Sequence, residues 1–205
     1  MFYHVDKQES LNDVLKRKFY DDDLLLLLNQ HLATANEKIP EIIFLHLCGS
    51  HYPPQFYIPK EWHPYSPGTM CNDYDNTIAF TDSILGEIHK LLLETKRPAF
   101  MFYISDHGES PTATHWRDLN NNDVWEIPMI LWMSEDYIKC HQSFYEQLKE
   151  AIRISPSLQS DELFHGLCSI AGVSWDNFPK EKDFTHSCFQ SKKKRLLINQ
   201  EYKKR

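Results

Sequence analysis

The sequence has no run of about 18 apolar residues, the length that a membrane-spanning helix needs. Its longest aliphatic block is residues 24–28. It also lacks a basic N-terminal segment followed by an apolar one, so no signal peptide is visible. We therefore expect any targeting or membrane anchoring of the mature protein to depend on sequence outside this chain.

The five cysteines include no CxxC pair, which argues against a structural zinc knuckle. Positive charge is also scarce, with 22 Lys and Arg against 29 Asp and Glu, a formal net charge of −7. A nucleic-acid-binding protein needs a basic face, so the charge balance argues against that class. The exception is a basic tail over residues 192–205, which we interpret as a solvated terminus or as a contact for anionic lipid headgroups.

The hydrophobic pattern predicts strands that alternate with helices within one domain covering residues 1–205. Helices are predicted from helical spacing or acidic starts at residues 22–35, 74–95, 143–152 and 161–171. Short apolar runs predict buried strands at residues 42–47, 99–104 and 127–133, with a further edge strand at residues 195–199. This order predicts an α/β fold with a mainly parallel sheet flanked by helices.

Polar clusters follow two of these predicted strands directly. Residues 48–51 read Cys-Gly-Ser-His, and residues 105–109 read Ser-Asp-His-Gly-Glu. Sites in open α/β sheets form at the carboxyl ends of the strands, so both clusters are expected at one sheet edge.

Asp106 and His107 are the strongest candidates for metal ligands. Gly108 allows the chain to turn sharply after the strand, so that the carboxylate and the imidazole face one ion. Such mixed oxygen and nitrogen ligation suits zinc, and Glu109 could hold a ligand in place. The competing interpretation is a polar turn with a helix-capping aspartate.

Ser50 and His51 form a second candidate half of the site. His115, in the loop after the second strand, is a third histidine that could reach the same edge. Either histidine could instead be a surface or packing residue. Tyr74, Asp75 and Asn76 open the long predicted helix, where they either cap it or line the site.

Several segments together resemble the phosphoethanolamine transferases that modify lipid A and related envelope glycans, within the alkaline phosphatase and sulfatase superfamily. The similarity runs over about residues 20–175 and is carried by HLCGSHYPP, YDNTIAFTDSIL, YISDHGES, IPMILWMSEDY and SDELFHGLCSIAGV. DHGE alone is widespread in that superfamily, whereas its combination with GSH and YDN is far more specific.

The resemblance implies zinc as cofactor, with Asp106 and His107 as two of its ligands. It also implies that His51 contacts the phosphoryl group or a second zinc, and that His115 takes the place of a later family histidine. That histidine usually lies in a longer loop and is followed by glycine, whereas Trp116 follows here. The implied reaction moves phosphoethanolamine from phosphatidylethanolamine to a sugar such as lipid A, in the periplasmic domain of a bacterial inner-membrane protein.

The family's nucleophilic threonine, an acidic zinc ligand and the membrane helices all precede the part that resembles this chain. We therefore expect a partial catalytic domain that lacks N-terminal elements, touches the membrane through the missing part and is inactive alone. Two alternatives remain open. One is a sulfatase or phosphodiesterase that uses water as acceptor, although the sulfatase Cys/Ser-x-Pro-x-Arg signature is not found. The other is a non-catalytic remnant that binds metal or headgroups.

Overall fold

The computed structural model describes residues 19–36, 38–110, 124–154 and 158–189. The chain divides into two compact units, Met1–Trp132 and Met133–Arg205. In the described part of the chain, no helix is both long enough and apolar enough to cross a bilayer.

Unit 1 is organised around two helices, α1 (Asp23–Thr34) and α2 (Met70–Glu94). Helix α2 buries Phe80, Ile84 and Ile88, which recur at helical spacing on one face. These three side chains form the core of unit 1 with Leu28 of α1 and with Ile58, which lies in the segment between the helices. Both helices were predicted from the sequence.

The start of α2 differs from the prediction. Thr69 is its N-cap and accepts a hydrogen bond from Asn72 N at 3.1 Å. Tyr74 therefore lies after the first turn of the helix and does not cap it. The cap was missed because the apolar periodicity becomes regular only after Tyr74.

The described sheet has two neighbouring strands, β1 (Phe100–Ile104) and β2 (Met129–Met133). Both strands were predicted. A two-stranded sheet agrees with an α/β fold but does not confirm the mainly parallel sheet.

The prediction of a strand at residues 42–47 is wrong. The segment has no strand assignment, and Phe44 is 78% exposed. Leu45 and Leu47 do pack against the core of unit 1. An apolar run predicts a strand covered on both faces, whereas here only Leu45 and Leu47 are partly covered and no described segment pairs with the backbone.

The described residues of unit 2 form three helices, α3 (Glu135–Cys140), α4 (Gln142–Ile154) and α5 (Leu163–Ile170). Helix α3 was not predicted, because six residues are too few to show helical periodicity. Its start is marked by Ser134, whose side chain caps the helix by accepting from Tyr137 N at 3.1 Å. Short 3₁₀ turns at Ser160–Glu162 and Lys180–Lys182 flank α5. The predicted edge strand at residues 195–199 and the basic tail lie outside the described residues.

Candidate functional site

The turn that follows β1 presents Asp106 and His107 to solvent. Their side chains are 89% and 46% exposed, and Asp106 Oδ2 lies 3.8 Å from His107 Nε2. Two ligands of a tetrahedral zinc, each at about 2.0–2.1 Å, lie about 3.3 Å apart. The pair is therefore close to the spacing that one zinc ion requires, with the oxygen and nitrogen donors that zinc accepts.

Hydrogen bonds within this turn set the orientation of both side chains. His107 Nδ1 lies 3.0 Å from the Gly108 carbonyl, which can only accept, so Nδ1 is the donor of this hydrogen bond. Asp106 Oδ1 accepts from His107 N at 3.0 Å, and Oδ2 is the oxygen nearer the imidazole. Nε2 is therefore the nitrogen left to bind a metal ion, and a ring held through its other nitrogen is typical of metal-bound histidines.

Glu109 connects this turn electrostatically to the second candidate segment. Desolvation raises the pKa of the Glu109 carboxyl. The charges of His107 and His51 lower that pKa, and the charge of Asp106 raises it. All three predicted residues therefore influence one half-buried carboxyl, and their place at a common sheet edge stays a prediction.

His51 belongs to a tight turn at residues 48–51. His51 N donates to the Cys48 carbonyl at 3.3 Å, and Gly49 has a φ of +56°, which side chains rarely allow. His51 Nδ1 donates to the Tyr52 carbonyl at 2.7 Å, so Nε2 is again the nitrogen with a lone pair. The ring also packs against Tyr57, with ring centroids 5.2 Å apart.

Helix α2 contacts the same turn through a buried hydroxyl. Thr77 Oγ1 lies 2.7 Å from Ser50 Oγ and donates to the Tyr74 carbonyl at 2.6 Å. Thr77 is fully buried. The hydroxyl of Ser50, predicted to line the site, is therefore in contact with the helix.

The two following residues of the YDN segment differ in burial. Asp75 is exposed, whereas Asn76 is fully buried. The Asn76 amide accepts from Tyr65 N at 2.9 Å and donates to Tyr65 O at 3.0 Å. Asn76 thus holds the loop before α2, and a substrate-lining role for Tyr74, Asp75 and Asn76 stays a prediction.

The described residues provide only part of the ligand set of a zinc site. Among the described residues, no group of three or more His, Cys, Asp or Glu side chains is placed to hold one metal ion. His115, predicted as a further site residue, lies outside the described residues.

Among the residues that sequence reasoning missed, Asp21 contacts the candidate site and Tyr103 responds to its charge. Asp21 accepts hydrogen bonds from Cys48 N and Gly49 N, both at 2.8 Å. Tyr103, on β1, has its pKa raised by desolvation and by the charges of Asp21 and Asp106. Asp21 had been interpreted only as one of three acidic residues before a helix, and no local signal shows that its partners lie 27 and 28 residues away.

Comparisons with known proteins show the family of the chain. A family model described as sulfatase matches residues 2–173. Phosphoethanolamine transferase EptA of Escherichia coli K12 is 29% identical over 198 residues, covering 82% of this chain and 34% of the relative. Kdo(2)-lipid A phosphoethanolamine 7''-transferase of Salmonella typhimurium is 27% identical over 178 residues, covering 78% of this chain and 31% of the relative. The chain thus spans about a third of the length of these curated relatives.

Solved structures show the same relation. The C-terminal periplasmic domain of phosphoethanolamine transferase EptC from Campylobacter jejuni superposes with a TM-score of 0.68 at 27% identity, covering 84% of this chain and 60% of that one. The C-terminal periplasmic domain of EcEptC from E. coli, solved as a complex with Zn, gives a TM-score of 0.70 at 22% identity, covering 93% and 56%. The latter likeness supports the fold.

Proposed function

The chain belongs to the sulfatase family, and from that premise we propose that it forms the zinc-binding part of a phosphoethanolamine transferase. The similarity to EptA and to the Kdo(2)-lipid A phosphoethanolamine 7''-transferase supports this reaction. The donor we propose is phosphatidylethanolamine, and the acceptor is lipid A or another glycan of the cell envelope. The compartment we propose is the periplasm, where the structurally similar domains are found.

One observation carries the proposal: the turn after β1 holds Asp106 Oδ2 and His107 Nε2 3.8 Å apart, which offers an oxygen and a nitrogen donor to one zinc ion. The electrostatics of Glu109 support it, because the charges of His107, His51 and Asp106 all influence the pKa of that carboxyl. A carboxylate and imidazoles near a half-buried acid are groups that metal-assisted phosphoryl chemistry uses.

Asp106 and His107 are the residues that would hold zinc. A bound zinc ion supplies a Lewis acid there, which stabilises negative charge on phosphoryl oxygens and activates a hydroxyl nucleophile. Their nearest donor atoms, Asp106 Oδ2 and His107 Nε2, lie 3.8 Å apart, close to the separation of two ligands of one zinc ion.

His51 and Glu109 have supporting roles in this proposal. His51 Nε2, with Nδ1 fixed on the Tyr52 carbonyl, is placed to contact a phosphoryl oxygen or a second metal ion. Glu109 orients the imidazoles through its charge. His115 remains a candidate for the same site from the loop after β1.

The proposal also covers what the chain does by itself. The family resemblance places the nucleophilic threonine upstream of the matched segment. We therefore expect the isolated chain to bind zinc and to transfer no phosphoethanolamine.

The test is lipid A mass spectrometry in a bacterium that lacks its own transferases. The chain is expressed within a reading frame that also encodes an upstream nucleophilic threonine, as wild type, as Asp106→Asn and as Asp82→Asn. Asp82 is an exposed aspartate on α2 and serves as the matched control. We expect lipid A to gain phosphoethanolamine with the wild type and with Asp82→Asn, and to gain none with Asp106→Asn.

Other results would each remove a part of the proposal. Modification by Asp106→Asn at the wild-type level would refute the metal assignment. Hydrolysis of sulfate esters or phosphodiesters without transfer would favour the hydrolases of the same superfamily. Zinc binding by the expressed protein without any turnover would favour a non-catalytic metal-binding remnant.

A further inference from the structure

A buried carboxylate lies directly beneath the turn that carries Ser50 and His51. Asp21 is 3% exposed. Its Oδ1 accepts from Cys48 N and its Oδ2 accepts from Gly49 N, both at 2.8 Å. These are lengths of charge-assisted hydrogen bonds, and both oxygens are used on adjacent amides.

The buried position of the Asp21 carboxylate requires hydrogen bonds to it. Burying a charged carboxylate is costly unless hydrogen bonds offset the loss of water, and two backbone N–H donors do so here. Gly49, in the same turn, has a φ of +56°, which side chains rarely allow. The carboxylate thus holds two adjacent amides of a turn whose backbone conformation favours glycine.

A second anchor holds the other end of the same turn. Thr77, fully buried on α2, contacts the Ser50 hydroxyl at 2.7 Å. Asp21 therefore fixes residues 48 and 49, and Thr77 fixes residue 50. His51 follows immediately, so its backbone has little freedom to move away from the turn after β1.

From this geometry we infer that Asp21 is a positioning residue of the candidate site, which sets the place of Ser50 and His51 relative to Glu109 and His107. Asp21 acts through the backbone of Cys48 and Gly49. Thr77 is its partner in the same role. The two residues come from different helical regions of unit 1, so the turn is tied to both.

The test compares Asp21→Asn with Asp22→Asn in the complete chain by ¹H–¹⁵N NMR and amide hydrogen exchange. Asp22 is the adjacent aspartate, is exposed and makes no side-chain capping bond, so it is a matched control. Asparagine keeps the size of Asp21 but turns an amide NH₂ toward one of the two N–H donors. We expect exchange at Cys48 and Gly49 to accelerate about 10-fold or more in Asp21→Asn, as one charge-assisted hydrogen bond is lost.

The readout specific to positioning lies elsewhere in the chain. If Asp21 sets the place of His51, the amide signals of His107 and Glu109 shift in Asp21→Asn, while those of the core residues Ile84 and Ile88 do not. Asp22→Asn leaves all of these signals unchanged. A uniform rise of exchange across unit 1, or unchanged exchange at Cys48 and Gly49, would overturn the inference.

Thr77→Val decides the matter if Asp21→Asn does not fold. Valine keeps the shape of threonine and removes the hydroxyl, and Thr77→Ser restores it. We expect signals of Ser50, His51 and Glu109 to shift in Thr77→Val and to return in Thr77→Ser. Unchanged signals in Thr77→Val would contradict the inference.

The importance of this role rests on the proposed function, but its test does not. The NMR readouts need neither zinc nor turnover. Loss of the transferase proposal would leave them intact, and a negative NMR result would leave the transferase proposal standing.

Discussion

Asp21 in unit 1 and Asp183 in unit 2 are both 3% exposed and both use the carboxylate to hold backbone. Asp21 reaches residues 27 and 28 positions away, in the turn that carries Ser50 and His51. Asp183 instead accepts from Thr185 N at 2.8 Å and from the hydroxyls of Thr185 and Ser169, so it closes a local turn and ties it to α5. A buried, fully bonded aspartate is therefore not a sign of function; the segment that it holds makes the difference.

The largest effect on stability is expected at Asp183. Asp183→Ala removes three hydrogen bonds and leaves the Thr185 amide without its acceptor, at a cost of about 3 kcal/mol in the free energy of unfolding. Urea denaturation measures this cost. Because Asp183 does not hold the turn of the candidate site, we expect Asp183→Ala to bind zinc with the wild-type affinity. Weaker zinc binding by the folded variant would contradict this contrast between Asp21 and Asp183.

Asn76 offers the corresponding test in unit 1. Asn76→Ala removes both hydrogen bonds to Tyr65 from a fully buried position, and we expect a loss of about 2–3 kcal/mol in the free energy of unfolding. Amide exchange at Tyr65 should accelerate more than exchange at Gly49. Equal acceleration at both amides would show that Asn76 also holds the turn of His51.

Packing in unit 2 can be changed without touching a polar group. A Cβ added at Gly166 would lie 2.1 Å from the ring of Phe184, whereas one added at Gly86 of α2 meets nothing within 4 Å. Gly166→Ala should therefore cost about 1–3 kcal/mol, and Gly86→Ala should gain about 0.5–1 kcal/mol from helix propensity. Thermal unfolding of the two variants measures the contrast, and a stabilised Gly166→Ala would refute the close packing.

The smallest effect is expected at Tyr137, whose hydroxyl donates to the Ile170 carbonyl at 2.7 Å. Burial raises the pKa of this phenol above its usual value of 10.0. Stability from the neutral phenol is present below pH 10 and is lost as pH rises through the higher folded pKa. Tyr137→Phe should cost about 1 kcal/mol at neutral pH and flatten this alkaline loss, which unfolding curves between pH 8 and about pH 11 would reveal.

The sequence predicted elements whose signal is local. Helices α1 and α2 and strands β1 and β2 follow from hydrophobic periodicity and from short apolar runs. The strand prediction at residues 42–47 was wrong, because an apolar composition does not show which other segment covers it. Helix α3 is too short for a periodic signal, and Ser134 alone marked its start.

The residues of the candidate site differ in the same way, because only those with a local signal could be predicted. Asp106, His107 and His51 were identified from residue type and from their position after apolar runs, and folding brings all three within electrostatic reach of Glu109. Asp21 and Thr77 were not identified, since their roles depend on hydrogen bonds 27 positions away in the chain. Such long-range partners are determined by the packing of unit 1 and leave no local pattern in the sequence.

The most direct measurement is a zinc titration of the purified chain against a chromogenic chelator, with wild type, His107→Ala and His63→Ala side by side. His63 is an exposed histidine of unit 1 with no predicted role, so it controls for loss of an imidazole. We predict about one zinc per chain for wild type and His63→Ala, and binding at least about 100-fold weaker for His107→Ala, since even residues behind a ligand contribute 10–100-fold. Equal affinity of all three proteins would contradict the assignment of His107 and Asp106 as the zinc ligands.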